Sequence, residues 1–216
     1  MRHTLRTLLL LALFLTAGHS VAAAQSQSTV ETLTLSLLPQ YDDPRLLIIY
    51  EATLSAPGEV AFAVPPSVEL HHAAYRAEDG TLHEVEGHFD AASNGRFVRF
   101  TVATREARLE LYQDVIPRQT ERFIDFTLPA HPYDIPLLRW VAIFPLNASA
   151  IATTPAMTST GQSHLGLQSF EREAGPLPAG TRAEQSIEWQ RESSEPAIFV
   201  PQAEAADGRG GFQTRP

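Results

Sequence analysis

The sequence predicts an all-β protein, an antiparallel β-sandwich, and three observations carry that expectation. Apolar and polar residues alternate with period two in segment after segment, as half-buried strands require. Gly, Pro, Asn and Asp gather between those segments, where they supply the preset or positive φ of tight turns. No stretch of useful length carries a helical period.

Before the first strand comes a different signal. Arg2 and Arg6 precede an apolar run from Leu8 to Leu15, and small residues then lead to Ala22-Ala23-Ala24 ahead of Gln25. A positive end, a short apolar centre and an Ala-x-Ala processing site form the layout of a secretory signal peptide. Residues 1–24 are therefore expected to be removed, leaving a mature protein that works in the periplasm or outside the cell. The apolar run falls short of the roughly 20 residues that span a bilayer, so no transmembrane anchor is expected.

From residue 25 a polar lead-in, Gln-Ser-Gln-Ser-Thr, gives way to Leu33, Leu35 and Leu37 alternating with Thr32, Thr34 and Ser36. Arg45 to Leu54 reads as a hydrophobic strand, and Val60, Phe62 and Val64 alternate with alanines until Pro65-Pro66 stops the run. Val98, Phe100 and Val102 face away from Arg99 and Thr101, and Leu109 and Leu111 alternate with Arg108 and Glu110. Ile124, Phe126 and Leu128 alternate with Phe123, Asp125 and Thr127. Leu138 to Leu146 is mostly apolar and reads as a central strand, with Trp140 in the core. Ile187 and Trp189, also expected in the core, alternate with Ser186 and Glu188. Turns are expected at Asp42-Asp43-Pro44, Ala56-Pro57-Gly58, Asp79-Gly80, Ser93-Asn94-Gly95 and Pro178-Ala179-Gly180, with hairpins at Asp79-Gly80 and Asn94-Gly95. Asn147 to Gly161 lacks alternation and reads as a long connection or a weak edge strand. One domain is thus expected over residues 25–195, followed by a flexible tail over 196–216.

Composition narrows the chemistry. Removal of 24 residues leaves 192 of 216, enough for a core without staples, burying about 70% of the unfolded chain's surface. There is no Cys, which excludes disulfides, thiolate metal sites and thiol redox chemistry. All 16 basic residues are Arg, so Schiff-base or general-base lysine chemistry is excluded as well. The mature chain holds 14 arginines against 25 acids, a net charge of about −11. Nucleic acid and anionic lipid are therefore not expected partners.

Four histidines, His71, His72, His83 and His88, flank the Asp79-Gly80 turn. A zinc or copper site would need three of them to converge. On a regular strand His71 and His72 point to opposite faces, so an exposed hairpin is the reading adopted, and no metal or cofactor is expected. Gly161-Gln162-Ser163-His164-Leu165 lacks the closing glycine of a nucleophile elbow and reads as a surface loop. Of the acid pairs, Glu84 with Glu86 and Glu171 with Glu173 read as solvent-facing strand positions, and Asp42 with Asp43 as part of the turn that initiates the second strand. Their spacing also leaves a carboxylate-dependent hydrolase as an alternative. Tyr41 and Tyr133, each beside a Pro-containing turn, are the candidate ligand-binding residues, as parts of a carbohydrate or peptide platform.

The segment from Leu37 through Tyr41-Asp42-Asp43-Pro44-Arg45 to Leu54 resembles the opening of an uncharacterised group of exported bacterial β-sandwich proteins. Glu110-Leu111-Tyr112-Gln113-Asp114 and Leu177-Pro178-Ala179-Gly180 are similar to later parts of that group. The group in turn resembles carboxypeptidase-regulatory-like and other immunoglobulin-like modules. The resemblance implies a sandwich fold and transfers no activity residue by residue. The function expected is that of a non-catalytic module for protein interaction or assembly in the cell envelope, with an envelope protein or polysaccharide as partner. Carbohydrate binding, metal binding and hydrolysis are the alternatives.

Overall fold

The computed structural model describes residues 28–92, 95–163 and 165–198, and every regular element among them is a β-strand. The expected leader, the Asn94 half of the second hairpin turn and the chain beyond residue 198 lie outside the described residues.

The central element is β1 (Val30–Pro39), where Leu33, Leu35 and Leu37 point to the core. It pairs antiparallel with β2 (Leu46–Leu54), which pairs with β8 (Glu106–Gln113), then β4 (Val68–Arg76) and β5 (Leu82–Val85). On the other flank β1 meets β10 (Ile135–Phe144), followed by β13 (Gln168–Leu177) and β12 (Thr158–Gln162), completing an eight-stranded sheet. Two three-stranded sheets complete the described fold. One joins β3 (Gly58–Val64), β7 (Gly95–Val102) and β6 (His88–Ala92); the other joins β11 (Ser149–Thr154), β14 (Ala183–Gln190) and β9 (Glu121–Leu128).

Every pairing is antiparallel except that of β1 with β10, which runs parallel from Thr32 opposite Leu137 to Leu37 opposite Ala142. Parallel neighbours need a long crossover, and here the chain between them carries eight strands, β2 to β9, distributed over all three sheets. Both small sheets pack on one face of the large one around a common core. Tyr50 of β2 meets Phe62 of β3 at 5.6 Å between ring centroids, Trp140 of β10 meets Phe126 of β9 at 5.9 Å, and Phe144 meets Trp189 of β14 at 6.0 Å. Each such buried side chain contributes about 1.5–3 kcal/mol, so these rings tie the layers together without disulfides.

The fold continues past residue 195. Ala197 and Ile198 donate backbone hydrogen bonds to the carbonyls of Gln40 (2.7 Å) and Tyr41 (2.9 Å). Holding that segment are two deeply buried arginines, Arg122 and Arg191, 3% and 7% exposed. Both donate to Oε1 of Gln40, which has a φ of 52°. Arg122 also reaches Ser193 O and Gln119 O, while Arg191 reaches Leu146 O and Glu195 O. Burial pushes both guanidinium pKa values down.

Candidate functional site at the open edge of β9

Six strands form the sheet edges: β12 and β5, β11 and β9, β3 and β6. An edge strand exposes unpaired N–H and C=O groups and invites another chain, so proteins shorten or cover their edges. Here β5 has 4 residues, β6 and β12 have 5 each, and β11 has 6. The 7-residue β3 is covered instead. Tyr133 donates its hydroxyl to Ala61 O at 2.6 Å, His131 Nε2 accepts the Ala63 N–H at 3.2 Å, and the Tyr50 hydroxyl reaches Ala63 O at 3.3 Å. His131 Nδ1 lies 3.0 Å from Pro129 O, so the ring is neutral with its proton on Nδ1. Burial drives its pKa down to about 4.

The longest edge, the 8-residue β9, has neither protection. It pairs only with β14, and from Phe123 to Thr127 no backbone or side-chain group among the described residues meets its other edge. Alongside it runs a groove of about 620 Å³. One wall is the β9 edge; the other is Val64-Pro65-Pro66 at the end of β3, with Arg96 beside it. Val115 and Pro117 line it as well, and Phe123 stands at its rim 53% exposed. Apolar side chains, an open strand edge and a gap of this size are the features with which a sheet can take up an added strand.

Arg96 is held rigidly. Its Nη1 donates to Pro66 O at 2.8 Å and Val68 O at 3.1 Å, and its guanidinium carbon lies 3.6 Å from the centroid of the Phe89 ring. Asp125, in the middle of β9, accepts a hydrogen bond from Ser186 Oγ at 2.6 Å.

Neither candidate tyrosine lines this groove. Tyr133 is committed to the β3 edge, and Tyr41 packs with Leu38, Leu47, Ile49 and Tyr112 on the opposite face of the large sheet. The histidines correct one expectation. A bulge between Leu70 and His72 removes the alternation, so the rings of His71 and His72 lie on one side, their centroids 4.0 Å apart. They still gather no third ligand: His72 Nδ1 pairs with Glu84 at 2.9 Å, His83 stacks on Tyr75, and no metal-binding cluster occurs among the described residues. Asp43 is bound by Arg45, which holds its carboxyl below the usual range. Asp42 accepts from the Tyr112 hydroxyl, and Ser163 Oγ accepts from the backbone N–H groups of Leu165 and Leu167.

No family model matches the chain, and no curated protein does. Solved structures give distant matches. An M1 zinc metallopeptidase of Deinococcus radiodurans is 14% identical, with a TM-score of 0.45 over 74% of this chain and 42% of that one. Native yeast LTA4 hydrolase is 6% identical, with a TM-score of 0.47 over 76% of this chain and 29% of that one. A putative protease from Parabacteroides distasonis is 13% identical, with a TM-score of 0.37 over 80% of this chain and 41% of that one. The chain thus spans less than half the length of each, and likeness of this degree carries no argument about activity.

The groove was missed in the sequence although one residue signals it. On β9 the solvent face reads Glu121, Phe123, Asp125, Thr127, and Phe123 is the misfit: a large apolar ring where alternation calls for a polar group. Nothing in the sequence marks Arg96.

Proposed function

We propose that this protein is a non-catalytic interaction module, exported to the cell envelope, whose working surface is the open edge of β9. The partner is another envelope protein, which contributes an extended segment as an additional strand. The observation that carries this reading is an 8-residue edge that no described residue protects, where the other edges of the described sheets are short or sealed. The groove gives such a segment an apolar bed, and main-chain hydrogen bonds along β9 supply affinity. A binding role also accords with the chemistry of the acids. A hydrolase of the carboxylate type needs a carboxyl with a raised pKa, and among the described residues the two carboxyls with perturbed values, Asp43 and Asp79, are both shifted down.

The test is selection from a displayed library of random peptides about ten residues long, enough to span the edge, with the mature protein as bait. Selected peptides should slow amide exchange across residues 121–128 and lose binding to a Phe123→Asp variant. Absence of selected binders, or binders that leave the amides of β9 unprotected, overturns the reading.

A further inference from the structure

Resting on the reading of β9 as a docking edge, we propose that the groove selects for an acidic residue in the docked strand, an Asp or Glu side chain that Arg96 receives. Most arginines on the described strands already have a carboxylate: Arg76 has Glu51, Arg99 has Asp90 and Glu59, Arg108 has Glu51 and Glu110, and Arg139 has Glu173. Acids outnumber arginines 25 to 16 in the whole chain, so partners are in surplus. Arg96 nevertheless has none among the described residues, although two carbonyls and an aromatic ring hold its guanidinium beside the groove.

Its ordering is specific. Pro66 O and Val68 O take up Nη1, and the Phe89 ring covers one face of the plane. The edge left over is Nε with Nη2, two parallel N–H donors in the spacing of a carboxylate's two oxygens. Because the neighbouring carbonyls and the aromatic face fix the plane beforehand, little side-chain entropy remains to be lost when a carboxylate arrives. Arg182, exposed and without an ion pair among the described residues, adds a second positive charge to the lining. The one carboxylate along the β9 wall, Asp125, already accepts from Ser186. A strand added to β9 lies about 4.8 Å from it, and the side chains on its core-facing side then point toward Val64, Pro66 and Arg96. The occupant is therefore an extended protein segment that sets one acidic side chain among apolar ones.

The peptides selected above provide the test. Aligned on their strand pattern, they should carry Asp or Glu at one recurrent position. Replacing that residue by Gln or Asn in a synthetic peptide should weaken binding to the wild-type protein by about tenfold or more, the loss expected of a charge-assisted paired hydrogen bond. Against an Arg96→Gln protein the acidic and amide peptides should bind alike, at the level of the amide peptide on wild type, which also shows that the variant is folded. Arg96→Lys, which keeps the charge and loses the fork, should recover only part of the difference. Peptides that protect β9 yet show no acidic position, or an acidic preference that survives Arg96→Gln, overturn this inference while leaving edge docking intact. Self-association of the wild-type protein that Phe123→Asp abolishes would instead assign the edge to a second copy.

Discussion

Acidification should destabilise this fold mainly through His131, whose ring is 2% exposed and whose pKa falls from 6.5 to about 4. The folded protein holds the neutral ring, with Nδ1–H donating to Pro129 O and Nε2 accepting from Ala63. Protonation at Nε2 would set two donors against each other and strand a charge in the core. Between pH 6.5 and about 4 the unfolded chain therefore binds a proton that the folded chain refuses. Stability is full above the upper value, declines as pH falls through the interval, and levels off below the lower one. At about 1.4 kcal/mol per pH unit, the loss across the interval is about 3 kcal/mol. Asp43, held below its ordinary value by Arg45, adds its own loss only at still lower pH.

Urea unfolding of the mature protein at a series of pH values would measure this directly. A His131→Gln variant supplies the control, since an amide oxygen can accept from Ala63 and cannot titrate. It should be less stable than wild type at neutral pH by about 1–3 kcal/mol, through the lost bond to Pro129 and poorer packing. Its stability should then be nearly flat across the interval, so the two proteins converge near pH 4. If both proteins lose stability in parallel, other groups carry the effect, and the assignment of a neutral buried ring is wrong.

Arg122→Ala should cost at least about 2 kcal/mol, because it leaves Gln40 Oε1 with Arg191 alone and removes the donors to the carbonyls of Gln119 and Ser193; limited proteolysis should then cut near Ser193, and an unchanged cleavage pattern would argue against the tie. Tyr41→Ala should lower stability by about 1–2 kcal/mol through lost packing on Leu38 and Leu47, with peptide capture at β9 unchanged; loss of capture without loss of stability would move the docking surface to the opposite face. Trp140 and Trp189 are 0% and 1% exposed, so iodide should leave the fluorescence of the folded protein unquenched, and quenching before unfolding would place an indole at the surface. The exported protein should have an intact mass beginning at Gln25, and retention of residues 1–24 would remove the case for processing.

Strands that bury one face were legible in the sequence, because the alternation is the burial: β7, β8, β9 and β14 show it, as does β1 up to Leu35. β13 was not, since Phe170, Glu171, Arg172 and Glu173 break the period and the strand is held by backbone pairing to β10 and β12 rather than by an apolar face. β4 was hidden by its own bulge at His71. Asn147 to Gly161, which reads as a long connection or a weak edge strand, contains β11 and most of β12, both edge strands, where few side chains need to be apolar.

The candidate site was illegible for a different reason. That β9 is a strand follows from its own residues, whereas its being an edge depends on which strands lie beside it. Its one neighbour, β14, lies some sixty residues along the chain, and the groove wall opposite comes from the end of β3, about as far in the other direction, and from β7, about half as far. Local alternation is blind to such distances. What makes the open edge informative is the contrast within one molecule: His131 and Tyr133, from a loop between β9 and β10, close the edge of β3 with directed hydrogen bonds, and among the described residues no equivalent guards β9. An 8-residue edge left open would be an aggregation hazard in a solitary protein. Its retention, with an apolar groove and an unpaired guanidinium beside it, is intelligible if a partner strand normally occupies it.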